Sequence, residues 1–148
     1  MTHVFTYGTL EIPEVMEAVT GRSLASAEAR AKGFAKFLLK GRIYPGMIAL
    51  PGAVCPGRVY YHPDRRALEI LDAFEDEVYT RERIEVEVVE GGSVEAYAYL
   101  IPPRYRECLT STPWKPDEFM TRHLAHYLEA CKAFHREVSE HTPRRPGV

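Results

Sequence analysis

The amino-acid sequence predicts an α+β fold, with strands early and helix late, and three observations carry that prediction. Turn-forming glycines and prolines recur about every ten residues through roughly the first hundred positions, as a series of short strands requires. Ile84, Val86 and Val88 alternate with Glu85 and Glu87. Beyond Gly91-Gly92, Val94, Ala96, Ala98 and Leu100 alternate with Glu95, Tyr97 and Tyr99, which spells a hairpin whose glycines supply positive φ. From Asp117 the apolar residues Met120, Leu124, Tyr127, Cys131, Phe134 and Val138 recur in steps of four and three. They draw a stripe along a helix of about five turns that packs across the sheet. No internal repeat interrupts this order.

The remaining elements follow in sequence. His3 to Tyr7 suits a strand that Gly8 ends. Ile12 to Val19 has Pro13 in its first turn and Gly21 past its end, the asymmetry of a short helix. Between Ala29 and Tyr61, apolar pieces such as Phe34 to Leu39, Met47 to Leu50 and Gly57 to Tyr61 lie between breakers and read as short strands and bends. Asp64 to Asp76 reads as a helix of about three turns with Asp64 as its cap. In the hairpin, one face is core and the other wet or functional, with Tyr97 and Tyr99 exposed there as a hint of a partner surface. The 148 residues fit a single domain over 1–140, and the Pro-rich end 141–148 reads as a disordered tail.

Composition narrows the function. A net charge of −2 with no long basic block gives no footprint for nucleic acid, and no apolar run approaches the length of a membrane helix. Cys55, Cys108 and Cys131 form an odd set without close pairing, so neither a disulfide framework nor a zinc site is expected. The first residues lack a secretory pattern, and a reducing cytoplasm fits best. His123, His126 and His135 lie beside the apolar stripe of the last helix without partners at ligand spacing. They read as solvated residues, and no metal or cofactor is expected. A small molecule is the expected partner.

The informative segment is the helix after Asp64. At about 100° per residue, Ala67, Leu68, Ile70, Leu71 and Phe74 fall on one arc, while Glu69, Asp72, Asp76 and Glu77 fall outside it. Glu75 falls inside. A carboxylate facing a core is costly unless paired, and desolvation raises its pKa toward what a general base near neutral pH needs. Two other accounts stand beside that one: an ion pair with Arg81 or Arg83, or a helix end that reaches solvent. A second constellation is Tyr7-Gly8-Thr9-Leu10, a strand end with a glycine before a short helix. Its backbone N–H groups could receive an anion or a developing oxyanion, or it is an ordinary turn.

Taken together, Tyr7-Gly8-Thr9-Leu10, Tyr44-Pro45-Gly46 and Leu71 to Arg81 resemble, in order and spacing, the gamma-glutamylcyclotransferase-like family, which includes gamma-glutamylamine cyclotransferases and plant avirulence-induced proteins. Trp114 to Phe119 is similar to the entry of the last helix in the plant-type members. The resemblance implies a small mixed β-barrel flanked by short helices, with a longer C-terminal helix. It also implies a metal-free, cofactor-free reaction in which the α-amine of a γ-glutamyl group attacks its own γ-carbonyl and expels an amine as 5-oxoproline closes. By the same resemblance Glu75 is the general acid/base. Gly8, Thr9 and Leu10, with Tyr7, hold the substrate's α-carboxylate or carbonyl oxygen, and Tyr79 and Tyr105 match polar positions near the pocket. The Gly-Thr-Leu form is similar to the gamma-glutamylamine and plant-type branches, so the implied substrate is a γ-glutamyl amine or related amide. The competing expectation is a non-catalytic binding or regulatory module that keeps the pocket, for which an ion-paired Glu75 is the sign.

Overall fold

A computed structural model describes residues 3–141 of the chain. Its strands are β1 (Val4–Thr6), β2 (Ser26–Leu38), β3 (Pro45–Tyr60), β4 (Thr80–Val88) and β5 (Ser93–Leu100). They close into a barrel in the order β1-β3-β2-β4-β5, with β1 returning to β5. The barrel is mixed: β1–β3, β3–β2, β2–β4 and β4–β5 run antiparallel, while β5 lies parallel to β1 and, through Met47 and Leu100, to β3. Three helices, α1 (Pro13–Thr20), α2 (Arg65–Phe74) and α3 (Pro116–His141), lie outside it. Among the described residues, no helix is long and apolar enough to cross a membrane. The expected disordered tail lies outside the described residues from position 142 onward; His141 still belongs to α3.

The expected hairpin is present. Val86 faces Val94 and Ile84 faces Ala96, and the turn is tied by Val88 N–H to Gly92 O at 2.9 Å, with φ of +131° and +84° at Gly91 and Gly92. Ala29, Ala31, Ala96 and Ala98 point inward with Phe5, Met47, Val59 and Val86, because a narrow barrel leaves room for only a few large side chains. The short strands expected between Ala29 and Tyr61 are instead two long ones. Residues 50–53 bulge out between the pairs Phe34–Ala49 and Lys32–Val54, so Pro51 and Gly52 are accommodated without ending β3.

A second core joins the barrel to its helices. Ile70 and Leu71 of α2, Val15, Met16 and Val19 of α1, and Phe119 and Cys131 of α3 pack with Val4 and Tyr60. Asp64 caps α2 as expected, its carboxylate accepting from Ala67 N–H at 2.7 Å. α3 is longer than expected, at 26 residues. Its His135 departs from the solvated reading, since Nδ1 stands 2.9 Å from the Val19 carbonyl and joins α3 to α1.

Candidate functional site

The cavity of interest, about 210 Å³, opens where the end of α2, the loop after β1, the start of β3 and the middle of α3 meet. Tyr7, Gly8, Thr9 and Leu10 form one wall; Phe74, Glu75, Asp76 and Tyr79 form another; Tyr44, Pro45, Tyr99 and Tyr127, with Phe5 and Thr6 of β1, complete the lining. The four loop residues, Glu75 and Tyr79 are thus brought together from distant parts of the sequence. Tyr105 is not among them. It packs beside Leu39, Val78 and Ile101, with the Arg104 guanidinium 5.0 Å from its ring centroid.

Glu75 is the residue at which α2 stops. Its N–H still donates to Leu71 O at 3.0 Å, which keeps its Cα on the helical cylinder at the angle the apolar arc requires, while ψ of 143° turns the chain away. Neither ion pair expected as an alternative forms: Arg81 stands 3.3 Å from Asp72 and Arg83 3.1 Å from Glu95. Among the described residues no hydrogen bond or salt bridge engages the Glu75 carboxylate. Burial, with the Asp76 and Asp72 carboxylates nearby, pushes its pKa up to about 8.

Asp76, one residue on, shows the opposite treatment. Its Oδ2 receives Arg42 Nε at 2.9 Å and the Tyr44 hydroxyl at 2.7 Å, and its Oδ1 receives Val78 N–H at 3.2 Å. Despite partial burial, these donors hold Asp76 below the ordinary carboxylate range, while burial together with donation to this anion pushes Tyr44 up to about 12. Asp76 is therefore a fixed negative charge beside Glu75.

Opposite the acids, the loop turns through a single 3₁₀ turn at Thr9–Glu11. The Gly8 and Thr9 carbonyls accept from Glu11 and Ile12 N–H at 3.0 and 3.2 Å, while the N–H groups of Gly8, Thr9 and Leu10 donate to no acceptor among the described residues. Gly8 is needed for space rather than for positive φ: at its φ of −126°, a Cβ would lie 2.9 Å from Pro45 Cδ.

The tyrosines tie the walls together. The Tyr7 hydroxyl donates to the Tyr99 carbonyl at 2.5 Å and accepts from Met47 N–H at 3.2 Å. The Tyr79 hydroxyl donates to the Pro45 carbonyl, Tyr99 donates to Asp72 at 2.7 Å, and Tyr127 and Thr9 share a hydroxyl contact of 3.0 Å. Burial raises the pKa of all four rings, so they stay neutral donors. Tyr99 is thus buried, contrary to the exposed face expected of the hairpin, and Tyr97 is half-covered by Arg81 and Arg83 at 4.5 and 5.5 Å from its ring centroid.

Residues 4–116 match the family model described as "Gamma-glutamyl cyclotransferase, AIG2-like". The chain belongs to this family. It is similar to AIG2-like protein D of Arabidopsis thaliana, 28% identical over 141 residues with 94% of this chain and 92% of the relative covered. AIG2-like protein C of the same plant is 30% identical over 137 residues, covering 88% and 76%. Among solved structures, one titled gamma-glutamyl cyclotransferase superposes with a TM-score of 0.63 at 20% identity, covering 89% of this chain and 86% of the other, a likeness of fold. The barrel that the family resemblance implied is the observed one.

Several cavity residues of this family member were not singled out as site residues from the sequence. Tyr44 had a signal, since it opens the Tyr44-Pro45-Gly46 motif. Tyr99 had a weaker one, as a large ring on the strand face opposite Ala96 and Ala98. Asp76 fell outside the arc at 100° per residue, an angle that does not apply to it because α2 ends at Phe74, and Tyr127 read as one more member of an apolar stripe.

Proposed function

We propose that the protein is a γ-glutamyl cyclotransferase that converts a γ-glutamyl amine or related amide to 5-oxoproline and free amine. The observation that carries this is a carboxylate, Glu75, that shares a cavity with three backbone N–H groups, acid and donors alike having no partner among the described residues. A γ-glutamyl group ends in an ammonium and a carboxylate on one carbon, and the cavity offers an acid for the first and donors for the second. The incoming ammonium pairs with Glu75 and lowers its pKa, so the ionised carboxylate takes a proton from the ammonium and leaves a free amine. The freed amine attacks the γ-carbonyl in a substrate folded back on itself, and the C–N bond of the five-membered ring forms. Glu75 then returns the proton to the leaving nitrogen as the amide C–N bond breaks, and the second proton shed by the ring nitrogen passes to the departing amine, which leaves as an ammonium. Asp76, held by Arg42 and Tyr44, keeps the local field negative and favours the ammonium's entry.

The alternative, a binding module without turnover, had an ion-paired Glu75 as its sign, and the commitment of Arg81 and Arg83 to Asp72 and Glu95 counts against it. The test is incubation with a panel of γ-glutamyl amines, γ-glutamyl dipeptides and γ-glutamyl-ε-lysine, with 5-oxoproline quantified. Release from the amines is expected, and silence across the panel overturns the assignment.

A further inference from the structure

We propose that Lys36 is a positioning residue for the substrate's α-carboxylate: by binding the Tyr7 carbonyl from behind the loop, it keeps the Gly8 N–H turned into the cavity. This rests on the reaction proposed above but uses a contact which that reaction does not. Lys36 extends from β2 and is not part of the cavity wall. Its Nζ donates to the Tyr7 carbonyl at 2.7 Å, stands 3.8 Å from Glu11 Oε2, and lies 5.2 Å from the centroid of the Trp114 ring. The side chain is only 13% exposed, so the ammonium is enclosed by these three groups.

A trans peptide unit is planar, and its C=O and N–H point in opposite directions. Tyr7 and Gly8 line the cavity while Lys36 sits outside it, so drawing the Tyr7 oxygen toward Nζ leaves the Gly8 N–H on the cavity side. The next two units are set by a different device, since the Gly8 and Thr9 carbonyls are tied down by Glu11 and Ile12. Lys36 therefore fixes the one peptide of the loop that the turn itself does not. If that peptide turned over, a carbonyl oxygen would face the cavity and repel the carboxylate. Glu11, whose buried Oε2 has no hydrogen-bond partner among the described residues, is a counter-charge at 3.8 Å, whereas the 2.7 Å bond to Tyr7 sets where the ammonium sits.

The experiment compares 5-oxoproline with its neutral carboxamide by calorimetry on the full chain, alongside 5-oxoproline release from a γ-glutamyl amine. The wild type is expected to prefer the acid. Lys36→Met is expected to lose about tenfold of that preference and to raise KM more than it lowers kcat, while Lys36→Arg stays within about threefold of wild type. Glu11→Gln keeps the preference, because the hold on Tyr7 remains. Should Lys36→Met not fold, Lys36→Gln carries the same comparison with a loss of about fivefold expected. An unchanged preference in the folded neutral variant overturns the proposal, as does an equal loss in Glu11→Gln, which would reduce the pair to a structural ion pair. A wild type that does not prefer the acid overturns it as well. If no substrate releases 5-oxoproline yet Lys36→Met abolishes the preference, the cyclotransferase assignment fails and Lys36 keeps its role.

Discussion

The two facing walls of the cavity solve opposite problems. The wall at the end of α2 gathers negative charge and leaves one acid, Glu75, without a partner among the described residues. The wall after β1 exposes N–H donors and bonds every carbonyl around them. Among the described residues neither wall supplies its own complement, since the acid meets no cation and the N–H donors meet no protein acceptor. Each would be relieved by the end of a zwitterion that suits it. A site is recognisable here by polar groups left wanting on both sides.

Removing the acid gives the largest expected effect. Glu75→Gln keeps the shape of the acid wall and should cost at least about 100-fold in kcat, with the circular dichroism spectrum unchanged. A smaller loss would move the base elsewhere and break the contrast between the walls. The donor wall is attacked by Gly8→Ala, whose new Cβ meets the Pro45 ring at 2.9 and 3.1 Å. An overpacking cost of about 1–3 kcal/mol displaces the loop and should raise KM about tenfold, with a lower Tm. An unchanged KM would mean that the loop does not hold substrate. The smallest effect is electrostatic. As a base, Glu75 works ionised, so kcat/KM should rise with pH through a limb near 8. Asp76→Asn removes the adjacent negative charge, favours the ionised form, and should move that limb to lower pH, measured as a pH–rate profile. A shift upward would show that Asp76 acts through its bonds to Arg42 and Tyr44 instead.

Where the structure repeats a local rule, the sequence was sufficient. The Asp64 cap, the Gly91-Gly92 hairpin, the Pro13 start of α1 and the inward angle of Glu75 each follow from spacing within a few residues. The angle survived even though α2 ends at Phe74, because Glu75 keeps the last helical hydrogen bond. What local spacing does not carry is closure. The parallel contact of β1 with β5, the Tyr7–Tyr99 bond and the Thr9–Tyr127 bond join residues about a hundred positions apart. Tyr99 and Tyr127 become cavity residues only through those contacts, and Lys36 is an ordinary polar residue of a strand until Tyr7 is folded against it. Tyr105 shows the converse: a residue near the hairpin's exit in sequence is carried by the chain into a different cluster.

One boundary in the sequence divides the lining of the cavity. The segment matched to the family ends at residue 116, where α3 begins, yet Tyr127 of that helix meets Thr9 at 3.0 Å across 118 residues of sequence. Loop and acid therefore lie within the segment that the family match spans, while part of the enclosing wall comes from beyond it. Exchanging the terminal helix would therefore change the side chains that close the cavity while leaving the loop and Glu75 where they are.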